Sequence, residues 1–466
     1  MSDISIFQKN LCSSARSSAS ILQALQSLFG CVYLEDQNSP TISFLPEAYC
    51  QLSEHKTDIQ TRTNLQHYSY IERDGDQHEF IKHFIQFQPA STADPGSTQT
   101  QQTTTGFQGG YIGFVDYNYA AKQQVNSAAT AQPQFYIGRY SSYLKRESQH
   151  WVFYSHDAQA SDIFTLVTSL IDNHSTKLNT DQAPNAAQFH LTQPCAAVWT
   201  KAQYQQAFER VQDYIRAGDC YQINLTQQFI GTAKGDLIET AEQFWQLTAA
   251  PYAAYLKLPD FELLSCSPEL FIEFAADRRL ITKPIKGTMP RSTDPVQDAQ
   301  YKQQLIQSEK DQAENLMIVD LLRNDLSVYA EVGSVKTPKL FEIESFNQVH
   351  HMVSEVRATL TQDTNPFDLL MSALPGGSIT GAPKIRAMQI IEELEVAPRG
   401  AYCGSIGYFN FDGTGRWNIL IRSIQKYQDQ VSLWAGGGIT IASDCDAEYQ
   451  ECFDKVSALL DLLNTW

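Results

Sequence analysis

Pro375-Gly376-Gly377-Ser378-Ile379-Thr380-Gly381-Ala382-Pro383-Lys384 is a glycine-rich turn that runs directly into a helix start. Pro383 suits the first helical position, where its missing N–H would lack an intrahelical partner anyway and its φ is already helical. Free backbone N–H groups and the positive end of the helix dipole at such a turn favour an anion, a carboxylate above all. Ser378, Thr380 and Gly381 are therefore candidate substrate-binding residues. Glycine-rich turns are common, so what surrounds this one decides its meaning.

Around it the elements are clear. Tyr204, Phe208, Val211 and Ile215 recur at helical spacing, and Gly218 follows as a C-terminal stop. Tyr221, Ile223 and Leu225 alternate with Gln222, Asn224 and Thr226, the period of a half-buried strand. The pattern predicts one long helix over Gln303–Arg323 and a last helix from about Asp446 to Leu463, with Val456, Leu459, Leu460 and Leu463 on its buried face. Strands and helices alternate irregularly, with antiparallel-looking hairpins, which points to the α+β class.

Before Pro194 the character differs. Residues 1–193 are rich in Ser, Thr, Gln and aromatics and poor in motifs, so the chain divides into an N-terminal region, 1–193, and a motif-bearing region, 194–466. Residues 89–106 read as an exposed mobile loop, and 173–188 as a polar connector. The 466 residues hold 42% hydrophobic side chains and nine cysteines without CxxC pairs, and they carry a formal charge of −18. Such acidity argues against nucleic acid or an anionic membrane as partner. The scattered thiols and the lack of a signal-like N-terminus are expectations of a reducing, cytoplasmic setting.

Two further patterns carry chemistry. Lys283-Pro284-Ile285-Lys286-Gly287-Thr288 holds Lys286 on a constrained strand or turn, and a lysine becomes nucleophilic where burial or a nearby cation lowers its pKa. Asp311 and Glu314 lie one turn apart on one helix, and Glu448 and Glu451 do so on another, with Lys455 one turn further. Two carboxylate pairs from two helices suit Mg²⁺, a hard ion that takes oxygen ligands. A single such pair is more often a solvated helix face.

Taken together and in order, these motifs resemble the chorismate-utilising enzymes, the family of anthranilate, isochorismate and aminodeoxychorismate synthases. The resemblance rests on Gly218-Asp219-Cys220-Tyr221-Gln222-Ile223-Asn224-Leu225, Ser265-Cys266-Ser267-Pro268-Glu269-Leu270-Phe271, the Lys286 run, Asp320-Leu321-Leu322-Arg323-Asn324-Asp325-Leu326, the turn at Ser378–Lys384, Gly404-Ser405-Ile406-Gly407-Tyr408 and the final helix. It covers the second region nearly end to end and is thin over the first. It implies a single large domain of two packed antiparallel β-sheets flanked by helices, with the active site between them.

The same resemblance implies residue roles. Pro-Ile-Lys-Gly-Thr is similar to the signature of the branch that aminates chorismate at C4, whereas anthranilate synthases carry alanine in place of Lys286. Lys286 would attack C2 as the C4 hydroxyl leaves, Glu269 would protonate that hydroxyl, and His351 would sit near the ring C4 oxygen in a positioning role. Glu314 and Glu451 would bind Mg²⁺ directly, with Asp311 and Glu448 beside them. Arg422 would clamp a substrate carboxylate with its planar fork, and Tyr402, Lys455 and Gly436-Gly437-Gly438 would complete the substrate site. The first region would correspond to a tryptophan pocket, so bound tryptophan is a further expectation. None of the nine cysteines has the G-x-C-x-G setting of a glutaminase nucleophile, so the chain is expected to use free ammonia or to receive it from a separate glutamine amidotransferase subunit, a heterodimer being the predicted partnership. The alternatives are an anthranilate synthase component I, an isochorismate or salicylate synthase, and a non-catalytic chorismate or tryptophan sensor.

Overall fold

The computed structural model describes residues 6–11, 16–36, 39–53, 56–70, 77–87, 106–178, 188–345 and 349–466. Residues 89–105 of the expected mobile loop and 179–187 of the expected connector lie outside the described residues.

Two twelve-stranded sheets, antiparallel throughout, form the body. The first sheet runs, among others, through Val32–Leu34, Tyr252–Leu258, Phe261–Ser267, Ser423–Tyr427, Gln430–Ile439 and Gln222–Lys234. The second runs from its edge strand Ile285–Pro290 through Val349–Thr359, Leu270–Phe274, Gly415–Asn418 and Ser405–Asn410 to Gly110–Val115 and beyond. Both sheets take strands from either side of residue 193, and that position falls inside the strand His190–Ala197. The compositional change there is thus not a seam in the fold.

The sheets meet through a buried layer in which Phe114 of the second stacks on Phe261 of the first, ring centroids 5.6 Å apart. Offset aromatic contacts of this kind add to area burial. The outer face of the first sheet is covered by Ser18–Leu25, Ala160–Leu178, Ala241–Thr248 and the C-terminal helix. The second packs on Glu309–Ser327 and Pro366–Ala373, while Lys384–Leu394 lies against Gln222–Lys234 of the first. This is the α+β, two-sheet architecture that the motifs imply. No helix among the described residues is long and apolar enough to cross a membrane.

Several local expectations are refined. The helix Lys201–Ala217 ends where Gly218 adopts φ 81°, the left-handed stop read from sequence. The strand Gln222–Lys234 is buried on both faces over its first half, because its polar face meets hydrogen-bonding partners instead of water: Asn224 Nδ2 donates to the Ile379 carbonyl at 2.9 Å and Thr226 Oγ1 to Glu395 at 2.6 Å. The helix expected over Gln303–Arg323 is two helices, Pro295–Gln307 and Glu309–Ser327. Ser308 has non-helical ψ 100° there, and its hydroxyl caps the second helix by accepting from the Asp311 N–H. The final helix likewise divides into Cys445–Asp454 and Ser457–Leu463. Pro383 stands one position before its helix, at the N-cap of Lys384–Leu394.

Candidate active site

Among the described residues the chain passes from one sheet to the other six times, and two of these crossings deliver Glu269 and Arg422. Glu269 lies between Phe261–Ser267 of the first sheet and Leu270–Phe274 of the second; Arg422 lies between Gly415–Asn418 of the second and Ser423–Tyr427 of the first. The crossings are tied together. Ser267 Oγ donates to the Ile419 carbonyl at 2.6 Å and accepts from the Glu269 N–H, while the Ile419 N–H donates to the Glu269 carbonyl at 3.2 Å. Arg422 is held at φ 51°, a conformation that non-glycine residues rarely adopt, and its own carbonyl accepts from the Cys266 N–H. Among the described residues it has no ion-pair partner.

Lys286 approaches from the edge of the second sheet. The ladder between Ile285–Pro290 and Val349–Thr359 shifts register between Ile285 and Thr288, and Gly287 supplies the left-handed φ of 79° at that irregularity. No side chain fits there, since a Cβ on Gly287 would stand 2.8 Å from Leu305 Cδ1 and 2.9 Å from Asp311 Cγ. The bulge aims Lys286 at a cluster comprising Lys455, Glu269, Glu314 and Glu451. Burial of the ammonium lowers its pKa, Lys455 lowers it further, and the three carboxylates oppose both. Glu269 is buried, and desolvation raises its carboxyl to about 7 against the pull of Lys286 and the Ile285 N–H. Lysine and glutamate are thus both moved towards neutrality. His351, on the neighbouring strand, pairs through Nδ1 with Thr288 Oγ1 at 2.8 Å, and burial, with Arg422 adding, lowers it to about 4, so it is neutral at pH 7.

The carboxylate pairs face one another from Glu309–Ser327 and Cys445–Asp454. Glu448 and Glu451 converge over Gly437, where a Cβ would lie 2.7 Å from Glu448 Oε2 and 3.1 Å from Glu451 Oε1. Glu314 feels both Asp311 and Glu451, and burial raises the pKa of Glu314 and of Glu448. Ser443 Oγ donates to Glu448 at 2.7 Å; Lys455 Nζ donates to Glu451 at 2.5 Å and to the Gly436 carbonyl at 2.8 Å. Partly desolvated carboxylates set against each other are a donor set that a hard divalent cation fits. Among the described residues no three acidic, imidazole or thiol groups already converge at ligand spacing, and Glu451 is turned to Lys455.

Other candidates stand differently. Thr380 is fully buried with its hydroxyl donated to the Gly376 carbonyl at 3.0 Å, so its side chain shapes the turn, while Ser378 is half-buried. Gly381 pairs with Ile223, at φ 144°. Lys384 closes the turn through Asp325 at 2.9 Å and the Ala373 carbonyl at 3.0 Å. Gly436 admits the adjoining strand, since its Cβ would sit 2.1 Å from the Leu225 carbonyl oxygen. Tyr402 is buried and stacks on Trp434 with centroids 6.1 Å apart, near Arg399 rather than Lys286. Gln222 was legible only as the polar half of a strand. Its amide is buried with neither atom hydrogen-bonded, and a Cβ on Gly438 would lie 2.5 Å from its Nε2.

A half-buried lysine, a buried glutamic acid with a raised carboxyl and an arginine without an ion-pair partner among the described residues form a cluster suited to a small anionic substrate. The chain belongs to the family of chorismate binding enzymes, which matches residues 29–461. It is 43% identical over 363 residues to aminodeoxychorismate synthase component 1 of Salmonella typhimurium, covering 76% of each chain. To the protein of that name from Escherichia coli it is 41% identical over 361 residues, covering 77% of each. Among solved structures it is similar to anthranilate synthase component I from Streptococcus pneumoniae, with TM-score 0.72 and 26% identity over 91% of this chain and 92% of that one.

Proposed function

We propose that this chain aminates chorismate at C4 to 4-amino-4-deoxychorismate, the precursor of 4-aminobenzoate, with Lys286 as covalent nucleophile. The observation that carries the reading is the position of Lys286 beside Glu269, with burial lowering the one pKa and raising the other to about 7. The neutral amine of Lys286 attacks C2 of chorismate, both ring double bonds shift (C1=C2 to C1=C6 and C5=C6 to C4=C5), and the C4 hydroxyl leaves as water on taking the Glu269 proton. Ammonia then attacks C4, both double bonds shift back and the C2–N bond to Lys286 breaks. A proton passes from the new ammonium to Glu269, which restores both groups. The enolpyruvyl group is untouched throughout.

Arg422 and the turn at Ser378–Gly381 receive the substrate carboxylates, and neutral His351, fixed by Thr288, orients the ring oxygen. Glu314, Glu448 and Glu451, with Asp311 alongside, would hold Mg²⁺, which supplies positive charge for a substrate carboxylate when bound. The relatives' designation as a component 1 supports a partner component, which we assign as a glutamine amidotransferase supplying ammonia.

The test is the product formed from chorismate, Mg²⁺ and concentrated ammonium salt, read by mass spectrometry. An aminated product retaining its enolpyruvyl group, converted to 4-aminobenzoate by an added lyase, supports the reading. Anthranilate, isochorismate or salicylate overturns it.

A further inference from the structure

We infer that the buried Arg399–Glu395 pair is the positioning device of the carboxylate-binding turn, holding Ile379–Gly381 against the strand that carries Gln222 and Asn224. The inference rests on reading that turn as a chorismate-carboxylate site. Arg399 is 1% exposed, and its guanidinium is divided between two backbone carbonyls and the Glu395 carboxylate. Nη1 donates to the Ile379 carbonyl at 2.8 Å and Nη2 to the Asn224 carbonyl at 2.7 Å, bridging turn and strand. Nε and Nη2 meet the two oxygens of Glu395 at 2.8 and 2.7 Å, a bidentate pair that keeps the buried charge compensated. Glu395 in turn accepts from Thr226 N–H at 3.1 Å and Thr226 Oγ1 at 2.6 Å, which fixes it to the same strand. The Tyr117 ring covers the guanidinium at 4.7 Å.

The consequence for the turn is directional. Asn224 adds its own Nδ2 bond to the Ile379 carbonyl at 2.9 Å, and its N–H donates to the Thr380 carbonyl at 2.8 Å. Because C=O and N–H of a trans peptide point opposite ways, pinning the Thr380 carbonyl to the strand sets the direction of the Gly381 N–H. The pinned Ile379 carbonyl likewise fixes the Thr380 N–H, which donates to the Gly377 carbonyl at 3.4 Å and closes the turn. Arg399 therefore holds in place, together with Asn224, the segment that presents the Gly381 N–H, without contacting the substrate. Lysine cannot replace it, since one ammonium cannot span a carboxylate and two carbonyls with the geometry of a planar fork.

The test is R399K, which keeps a cation beside Glu395 and loses the fork. Displacing binding groups by a fraction of an ångström is costly, so the KM for chorismate, and its Kd by fluorescence titration without ammonia, are expected to rise about 10-fold or more. The KM for ammonium and the half-saturating Mg²⁺ stay within about 2-fold, since Lys286 and the carboxylates stand on other elements. Where R399K does not fold, N224A removes one of the two donors to Ile379 and leaves the ion pair whole; chorismate affinity is expected to fall about 3-fold or more. A lowered Tm and active fraction with chorismate affinity unchanged overturns the proposal. Mass spectrometry of the wild-type product separates the two claims: a product other than the C4 amine sinks the functional reading, while the chorismate Kd still decides the role of Arg399.

Discussion

Lys286 and Glu269 approach each other from an edge strand and from an inter-sheet crossing, and burial shifts their proton affinities in opposite directions. The neutral amine and the neutral acid are the forms that a displacement with a hydroxide leaving group needs. Lys455 strengthens the shift on Lys286, although it is itself engaged with Glu451 and Gly436.

A bell-shaped pH profile follows. The active form needs a neutral Lys286 and a protonated Glu269, so the Glu269 ionisation at about 7 sets one limb and the lowered Lys286 ionisation the other. In E269Q the residual activity keeps the Lys286 limb and loses the limb at about 7. A profile of kcat/KM against pH for the two proteins checks this.

Glu269 also carries a stability signature. Its folded pKa of about 7 lies above the unfolded value near 4.5, so the folded state holds the proton more tightly. Stability from this group is present below pH 4.5 and is lost as pH rises to 7. E269Q, which cannot ionise, is therefore expected to melt a few degrees above wild type at pH 8 and close to it at pH 5. Equal melting shifts at both pH values would contradict the burial argument.

Arg422 separates binding from stability. Its φ of 51° costs about 1 kcal/mol for a residue with a Cβ, and glycine does not bear that cost. R422G is expected to keep or slightly raise Tm while the KM for chorismate rises about 100-fold, since a bidentate cation is lost. Calorimetry together with initial rates distinguishes this from a merely structural arginine, whose loss would lower Tm.

The opposed carboxylates make a metal prediction with two signs. E451Q relieves repulsion on Glu314 and Glu448, so it is expected to stabilise the metal-free protein, and it weakens Mg²⁺ activation by about 10- to 100-fold. Melting with and without Mg²⁺ reads both effects. Unchanged Mg²⁺ dependence in E451Q and E314Q would remove these residues from the metal site.

The sequence displayed the chemistry more clearly than the support beneath it. Lys286, Glu269, Arg422 and the two carboxylate pairs fall within dense local motifs, and the structure brings them near one another. The helix break at Ser308 was hidden because apolar spacing continues across it, while the capping hydroxyl reads as an ordinary polar residue. The buried polar face of Gln222–Thr226 was hidden because period-two alternation looks the same whether that face meets water or Arg399, Glu395 and the Ile379 turn. Tyr402 lies against Trp434, a contact between residues 32 positions apart that local spacing does not encode.

The most direct measurement is intact-protein and peptide mass spectrometry after incubation with chorismate and Mg²⁺ without ammonia. The account expects a mass gain of chorismate less one water, mapped to Lys286 and discharged on adding ammonium. An unmodified Lys286, together with full C4 amination by K286A, would contradict it.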